Sequence, residues 1–292
     1  MKKSQFTNRS IGAIGLAIIA TALTAGTARA QYSPYWFDGF DTANSLDINS
    51  GIGSPRQGGA GIPTSWVSNG GSGNYHDQIA SGQLLLAGDS FIANGIALAS
   101  PNQNFSGLTG GGDAIGTKIE YVVQPGTFDA AGRYTESAIT IGSPTTLVAS
   151  QTAGANFSLR FVEDVAFGNG AFLQLADGST LVGNLIANPA GYAPMFVELF
   201  MSDTDGNPWD GIGGTKIDIS INGTPTASYT KGGGGYTANY LTLEGSANFV
   251  NFGLETHFYD NLTVLTSAVP EPSSIALAGL GMAGLLIFRR RK

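Results

Sequence analysis

Lys216-Ile217-Asp218-Ile219-Ser220-Ile221-Asn222-Gly223 decides the fold class. A β-strand sends successive side chains to opposite faces, so Ile217, Ile219 and Ile221 share one face while Asp218 and Ser220 share the other. Asn222-Gly223 favours the positive φ angles of a two-residue hairpin turn. Thr117-Lys118-Ile119-Glu120-Tyr121 repeats the alternation, with Ile119, Tyr121 and Val123 on one face, and Asp177-Gly178 gives a second hairpin signal. Working outward, short runs of the same period predict strands over 83–87, 92–99, 117–123, 137–141, 157–162, 171–175, 180–186, 195–201, 215–221, 226–229, 240–243, 249–254 and 258–265. No long amphipathic helix interrupts them. Many strands with Gly, Asn, Asp and Pro between them predict an all-β sandwich or barrel. The 43 glycines fall mostly in loops, and 232–235 reads as a flexible tip. The Gly/Ser/Pro-rich stretch 49–74 reads as a long irregular loop, with Trp66 as its anchor into the core. No break in composition divides the body, so one domain is expected over 31–265, followed by a short linker at 266–269.

The two ends differ from the body. Lys2, Lys3 and Arg9 precede an apolar stretch at 11–25, and Ala28-Arg29-Ala30 has the A-x-A form of a cleavage site. This is the pattern of a secretory signal peptide, 1–30, with the mature chain starting at Gln31. At the other end, Pro270-Glu271-Pro272 is followed by an uncharged apolar run at 275–288 and then by Arg289-Arg290-Arg291-Lys292. A helix over 272–288 would be about 25 Å long at ~1.5 Å per residue, at the short end of what a membrane core of about 30 Å requires. Snorkelling arginines and local thinning cover the difference. The basic end then lies in the cytoplasm and the body outside it.

Without these ends the charge changes. The whole chain carries −7, but residues 31–268 keep six basic against twenty acidic residues, a net of −14. So acidic a body will not hold nucleic acid or anionic lipid by bulk charge. It suits divalent cations, or simple solubility in an anionic matrix. The chain has no cysteine, which excludes disulfides, thiol catalysis and cysteine-ligated zinc.

The C-terminal 23 residues resemble the PEP-CTERM sorting signal of Gram-negative bacteria: motif, span and basic end stand in that order. The resemblance implies recognition and cleavage near the motif by an exosortase in the inner membrane, with delivery to the cell surface or exopolysaccharide matrix. The body resembles the concanavalin A-like (laminin G-like) jelly roll. It does so through Phe37-Asp38-Gly39-Phe40-Asp41, Ser81-Gly82-Gln83-Leu84-Leu85-Leu86, Ile219-Ser220-Ile221-Asn222-Gly223 and Tyr259-Asp260-Asn261-Leu262-Thr263-Val264. That resemblance implies two antiparallel sheets packed face to face, opening and closing strands side by side, and a binding groove on a curved sheet.

Candidate chemistry is sparse. Asp203, Asp205, Asn207 and Asp210 place oxygen donors in a short polar loop of the sort that can wrap Ca2+, although Gly206 and the missing final glutamate depart from an EF-hand; an ordinary Asx-rich turn explains the same residues. The jelly-roll resemblance offers a second calcium candidate where the terminal strands pair, at Asp38 or Asp41 with Asp260; a strand-end cap at Asp260 is the alternative. Tyr75, Trp209, Tyr236 and Tyr240 are candidates to stack on sugar rings, or else loop anchors. Glycosidases of this fold use two acids flanking the sugar bond. No Glu-x-Asp-x-x-Glu strand motif is present, and Glu198 and Asp203, five apart, point to opposite faces of a regular strand. His76 and His257 read as surface or structural residues, and no Gly-x-Ser-x-Gly elbow occurs. The expectation is a non-catalytic surface or matrix protein that contacts polysaccharide and requires no cofactor. The alternatives are a calcium-dependent lectin-like module and a glycoside hydrolase or lyase with an atypical site.

Overall fold

The computed structural model describes residues 31–52, 56, 65–69, 75–89, 95–105, 116–126, 134–143, 147–164, 170–202, 213–231, 236, 240–247 and 254–268. These hold fifteen strands: β1 (Gln31–Asp38), β2 (Val67–Ser68), β3 (Tyr75–Ala80), β4 (Gln83–Asp89), β5 (Gly95–Ser100), β6 (Gly116–Gln124), β7 (Tyr134–Ser143), β8 (Phe157–Asp164), β9 (Gly170–Asp177), β10 (Thr180–Ala187), β11 (Met195–Ser202), β12 (Lys216–Ile221), β13 (Thr224–Thr230), β14 (Tyr240–Ala247) and β15 (Leu254–Ala268). Twelve of the thirteen strands expected from alternation are present. The thirteenth, at 249–254, lies outside the described residues except for Leu254, which opens β15. Alternation did not reveal β1, β2 or β3.

The strands form two sheets. An eight-stranded sheet runs β13-β12-β11-β6-β15-β4-β3, with β1 also paired to β15, and a seven-stranded sheet runs β10-β9-β8-β7-β14-β5-β2. The chain crosses between the sheets at β1–β2, β2–β3, β4–β5, β5–β6, β6–β7, β10–β11, β13–β14 and β14–β15, which makes a jelly-roll sandwich of antiparallel ladders. Residues Tyr32–Ser267 make up one compact unit. The expected linker at 266–269 is shorter than the sequence suggests, because β15 continues through Ala268.

Alternation translates directly into the core. Ile217, Ile219 and Ile221 face inward with Val197, Leu199 and Met201 of β11 and Ile119, Tyr121 and Val123 of β6. Against them pack Ile139, Ile141, Phe157, Leu159, Leu173, Leu241 and Leu243 of the other sheet. The Asn222-Gly223 turn has φ of 50° and 75°, the double positive φ expected of a type I′ hairpin. In the other hairpin the two loop residues are Gly178-Ser179, one position later than Asp177-Gly178, and Gly178 carries the positive φ of 61°.

Trp66 is buried, at 2% exposure, between Trp36 and Phe40. Its indole donates to Asp38 Oδ2 at 2.8 Å. The loop beyond it carries the short strand β2, which pairs with β5.

Candidate functional site

Three groups of polar side chains stand out. The first is at the strand-pairing end. Asp38 is fully buried and ion-paired to the fully buried Arg56. Its Oδ1 accepts from Arg56 Nε and the Phe40 amide, and its Oδ2 from an Arg56 terminal nitrogen and the Trp66 indole. Four donors fill the acceptor capacity of a carboxylate, so Asp38 has nothing left for a cation. This corrects its candidacy as a calcium ligand: the arginine does the neutralising. Asp41 is exposed. Asp260 is half-buried, and its burial, followed by the negative charges of Asp41 and Asp38, raises its pKa to about 6. Among the described residues no group of three or more His, Asp or Glu side chains is placed to hold a metal ion. The other calcium candidate, Asp203, Asp205, Asn207 and Asp210, lies outside the described residues, as does Trp209.

The second group lies on the outer face of the seven-stranded sheet, and the sequence reading missed it. Register aligns one row across five strands: Gln174, Arg160, Ala138, Glu244, Leu98. Glu136 stands two residues from Ala138 on the same face, so Glu136 and Glu244 are diagonal neighbours. Arg160 donates to both Glu136 oxygens, at 2.5 and 2.6 Å, and also to Gln174 Oε1. The small Ala138 leaves a dip between the long side chains, and the segment 147–156 folds over it. Ser150 donates its amide to Glu244 Oε2 at 2.7 Å and its hydroxyl to Glu136, while the Val148 amide donates to Thr242 Oγ1 at 3.2 Å. Glu136 and Glu244 are thereby 3% and 2% exposed. Two buried acids share one arginine. Desolvation and then the charge of Glu136 raise the Glu244 pKa to about 8, so Glu244 is protonated at neutral pH. A carboxyl held neutral beside a second acid is how many acid–base pairs are built, but here the segment at 147–156 closes the pair off. A sequence signal existed. The body has three arginines, Arg56, Arg133 and Arg160, and an arginine in the apolar strand Phe157-Ser158-Leu159-Arg160-Phe161 requires a buried carboxylate partner.

The third group lies on the outer face of the eight-stranded sheet, and it is open. Register gives the rows Asp218, Phe200, Lys118, Leu265, then Ser220, Glu198, Glu120, Thr263, then Phe196, Val122, Asp260. Glu198 and Glu120 stand directly opposite each other. Lys118 bridges both, with 2.6 Å to Glu120 and a shorter contact to Glu198. The three side chains keep 21–24% of their surface exposed. Burial alone would lower the lysine pKa; hydrogen bonds to the two glutamates outweigh it and raise it. Tyr32 meets Phe200 edge-on at 6.0 Å and lies under Lys118 Nζ, also at 6.0 Å. Phe196, at 36% exposure, is among the most exposed large apolar side chains described.

The stacking candidates separate. Tyr236 is 1% exposed, packed against Phe157 with Lys231 Nζ 4.4 Å over its ring; it is a core residue and cannot meet a sugar. Tyr240 is half-buried at the start of β14, opposite Ser143. Tyr75 opens β3 opposite Gly88. His257 is fully buried between the sheets, its Nδ1 2.7 Å from Ser137 Oγ and 3.0 Å from the Gly126 amide, which donates to it. Burial lowers its pKa to about 4.

Residues 268–292 match the family model of the PEP-CTERM protein-sorting motif, so the chain carries that motif. Among the described residues no helix is long and apolar enough to cross a membrane; the run at 275–288 and the expected signal peptide at 1–30, with Ala28 and Ala30, lie outside them. No curated protein matches the sequence. Solved structures similar to this chain include the carbohydrate recognition domain of Emp47p (TM-score 0.49, 10% identity, 83% of this chain and 100% of that one). A Bacillus subtilis protein of unknown function with a galectin-like fold is similar at TM-score 0.48 and 10% identity, over 82% of this chain and 100% of that one. A structure from work on endo-acting O-glycanases of the human gut microbiota is similar at TM-score 0.48 and 11% identity, over 81% of this chain and 100% of that one.

Proposed function

We propose that this chain is an exported, non-catalytic protein of the cell surface or exopolysaccharide matrix, processed by an exosortase and contacting polysaccharide. The observation that carries the reading is the PEP-CTERM motif at 268–292, standing directly behind strand β15. Pro270, Glu271 and Pro272 would be the recognised motif. The run at 272–288 would hold the precursor in the inner membrane, with Arg289, Arg290, Arg291 and Lys292 in the cytoplasm and 31–268 outside. The strong negative charge of that body supports a soluble, self-repelling matrix component. The closed state of the Glu136–Glu244 pair supports a role without catalysis.

Expression of the full chain with and without an exosortase tests the address. Loss of the C-terminal segment and release to the surface only when the exosortase is present is the expected outcome; identical size and location in both hosts would sink it. A panel of neutral and acidic polysaccharides tests the contact.

A glycoside hydrolase with an atypical site is the second reading, and the adjacent acids Glu136 and Glu244 are the residues it would need uncovered. Hydrolysis of any panel member, abolished by both Glu136→Gln and Glu244→Gln, would replace the non-catalytic reading. A calcium-dependent module would show as a rise in melting temperature at millimolar Ca2+ that Asp203→Asn with Asp205→Asn removes.

A further inference from the structure

We propose that the outer face of the eight-stranded sheet, around Phe196, Glu198 and Phe200 of β11 with Lys118, Glu120 and Tyr32 beside them, is a binding platform for an uncharged polysaccharide chain. The inference rests on the polysaccharide-contacting reading above and assigns it a site.

The face is arranged as aromatic, polar, aromatic along one strand. Phe196 and Phe200 are four residues apart on the same side of β11, about 14 Å at ~3.4 Å per residue, with Glu198 midway between them. The polar middle is costly to keep. Glu198 and Glu120 are directly opposed across the β11–β6 ladder, and like charges so placed destabilise a sheet. One lysine offsets them, at the surface, where such ion pairs add little. A sheet face shaped only for stability has no need of that arrangement. A pyranose chain does. Its ring faces are apolar and rest on aromatic rings, and its rim hydroxyls both donate and accept. Glu198 and Glu120 supply acceptors and Lys118 a donor, all three fixed in place by one another before a ligand arrives. The separation of the two phenylalanines suits an extended chain rather than a single ring.

Charge selects the ligand class. Two carboxylates already offset the charge of Lys118 and leave its third N–H as the donor, and the cluster carries one net negative charge. The other ion pair of this face, Lys216 with Asp218 at 2.7 Å, is neutral. Around it the body carries −14 over 31–268. An anionic polymer is repelled by such a field, and so is a second copy of this chain.

Affinity electrophoresis of the exported protein, purified in detergent, tests the site. The probes are hydroxyethyl cellulose as the neutral polymer and alginate as the anionic one, and the variants are Phe196→Ala with Phe200→Ala, and Glu198→Gln. Both act on exposed or half-exposed side chains, and unchanged melting temperatures check that the fold is kept. Retardation by the neutral polymer, weakened at least tenfold by the double variant and at least threefold by Glu198→Gln, is the expected result. Wild-type retardation that the variants leave untouched overturns this site while the polysaccharide-contacting reading stands. Preference for alginate overturns the uncharged class. No retardation by any polysaccharide of the panel removes the reading and the site together. Sedimentation completes the set: a wild-type dimer that the double variant dissociates would make the face a self-association surface instead.

Discussion

The two arginines of the described residues each sit beside a carboxylate that water cannot reach, and their consequences differ. Arg56 and Asp38 are matched one to one. Removing the cation alone strands a buried charge, so Arg56→Ala should cost about 3–5 kcal/mol, read by urea denaturation. Arg56→Met with Asp38→Leu should recover much of that loss, because an apolar pair of similar volume removes the desolvation cost. Arg160 instead faces two acids, and a proton supplies the missing positive charge. Glu244 has a folded pKa of about 8 against an ordinary value of 4.5. The folded state therefore holds a proton that the unfolded chain gives up, and stability falls as pH rises between those values. His257 works in the opposite sense. Its folded pKa of about 4 makes stability fall as pH drops below about 6.5. The two slopes cancel between roughly pH 4.5 and 6.5. From about pH 6.5 to 8 that of Glu244 is left alone, and stability falls as pH rises. The groups facing Glu244 are Glu136 of β7, Arg160 of β8 and the Tyr259 hydroxyl, which donates to the Glu244 backbone carbonyl at 2.5 Å; Tyr259 stays un-ionised here because burial raises its pKa well above the ordinary range. Thermal melts across pH 6.5–8 should show the decline in the wild type and a flat line in Glu244→Gln.

At the scale of elements, the strands legible in the sequence are those with one wet face. β6, β11 and β12 alternate cleanly because their outer residues meet solvent. β7 did so only in part: Thr135 through Ile141 are all buried, because the segment at 147–156 covers the outer side. That cover also hid the acid pair. It depends on Ser150, a residue whose own sequence context is an unremarkable loop, and on a register that brings Glu136 and Glu244 together from more than a hundred residues apart. β1 escaped notice because Tyr35-Trp36-Phe37 is apolar without a period, and Pro34 argues against a central strand. The candidate site on the eight-stranded sheet was half legible: Lys118 and Glu120 read as an outer face, but their partner Glu198 belongs to a strand about eighty residues later. The spacing of the sheets makes a further prediction. A Cβ on Gly245 of β14 would lie 2.7 Å from His257 Cδ2 and 2.9 Å from the Leu86 carbonyl, so Gly245→Ala forces the sheets apart locally. A loss of about 1–3 kcal/mol is expected in chemical denaturation, whereas Gly191→Ala, with open space around it but a positive φ of 61°, should cost only about 1 kcal/mol.

For the sandwich as a whole, the decisive strand is β15. It lies between β6 and β4, pairs with β1 as well, and sends Tyr259, Leu262 and Val264 into the core. A chain ending before Leu254 should show no cooperative thermal transition, whereas one ending after Ala268 should melt as the full chain does; differential scanning calorimetry distinguishes them. The sorting motif thus follows the most connected strand of the sheet with almost no slack. There is a consequence in time as well. Ribosomes deliver β15 after every strand it joins, so β6 and β4 wait with bare edges until residue 268 has been made. The eight-stranded sheet can close only after synthesis of the body is over, and export has a long interval in which the chain is still threadable. The proposed export is served by having the middle of the sheet arrive last.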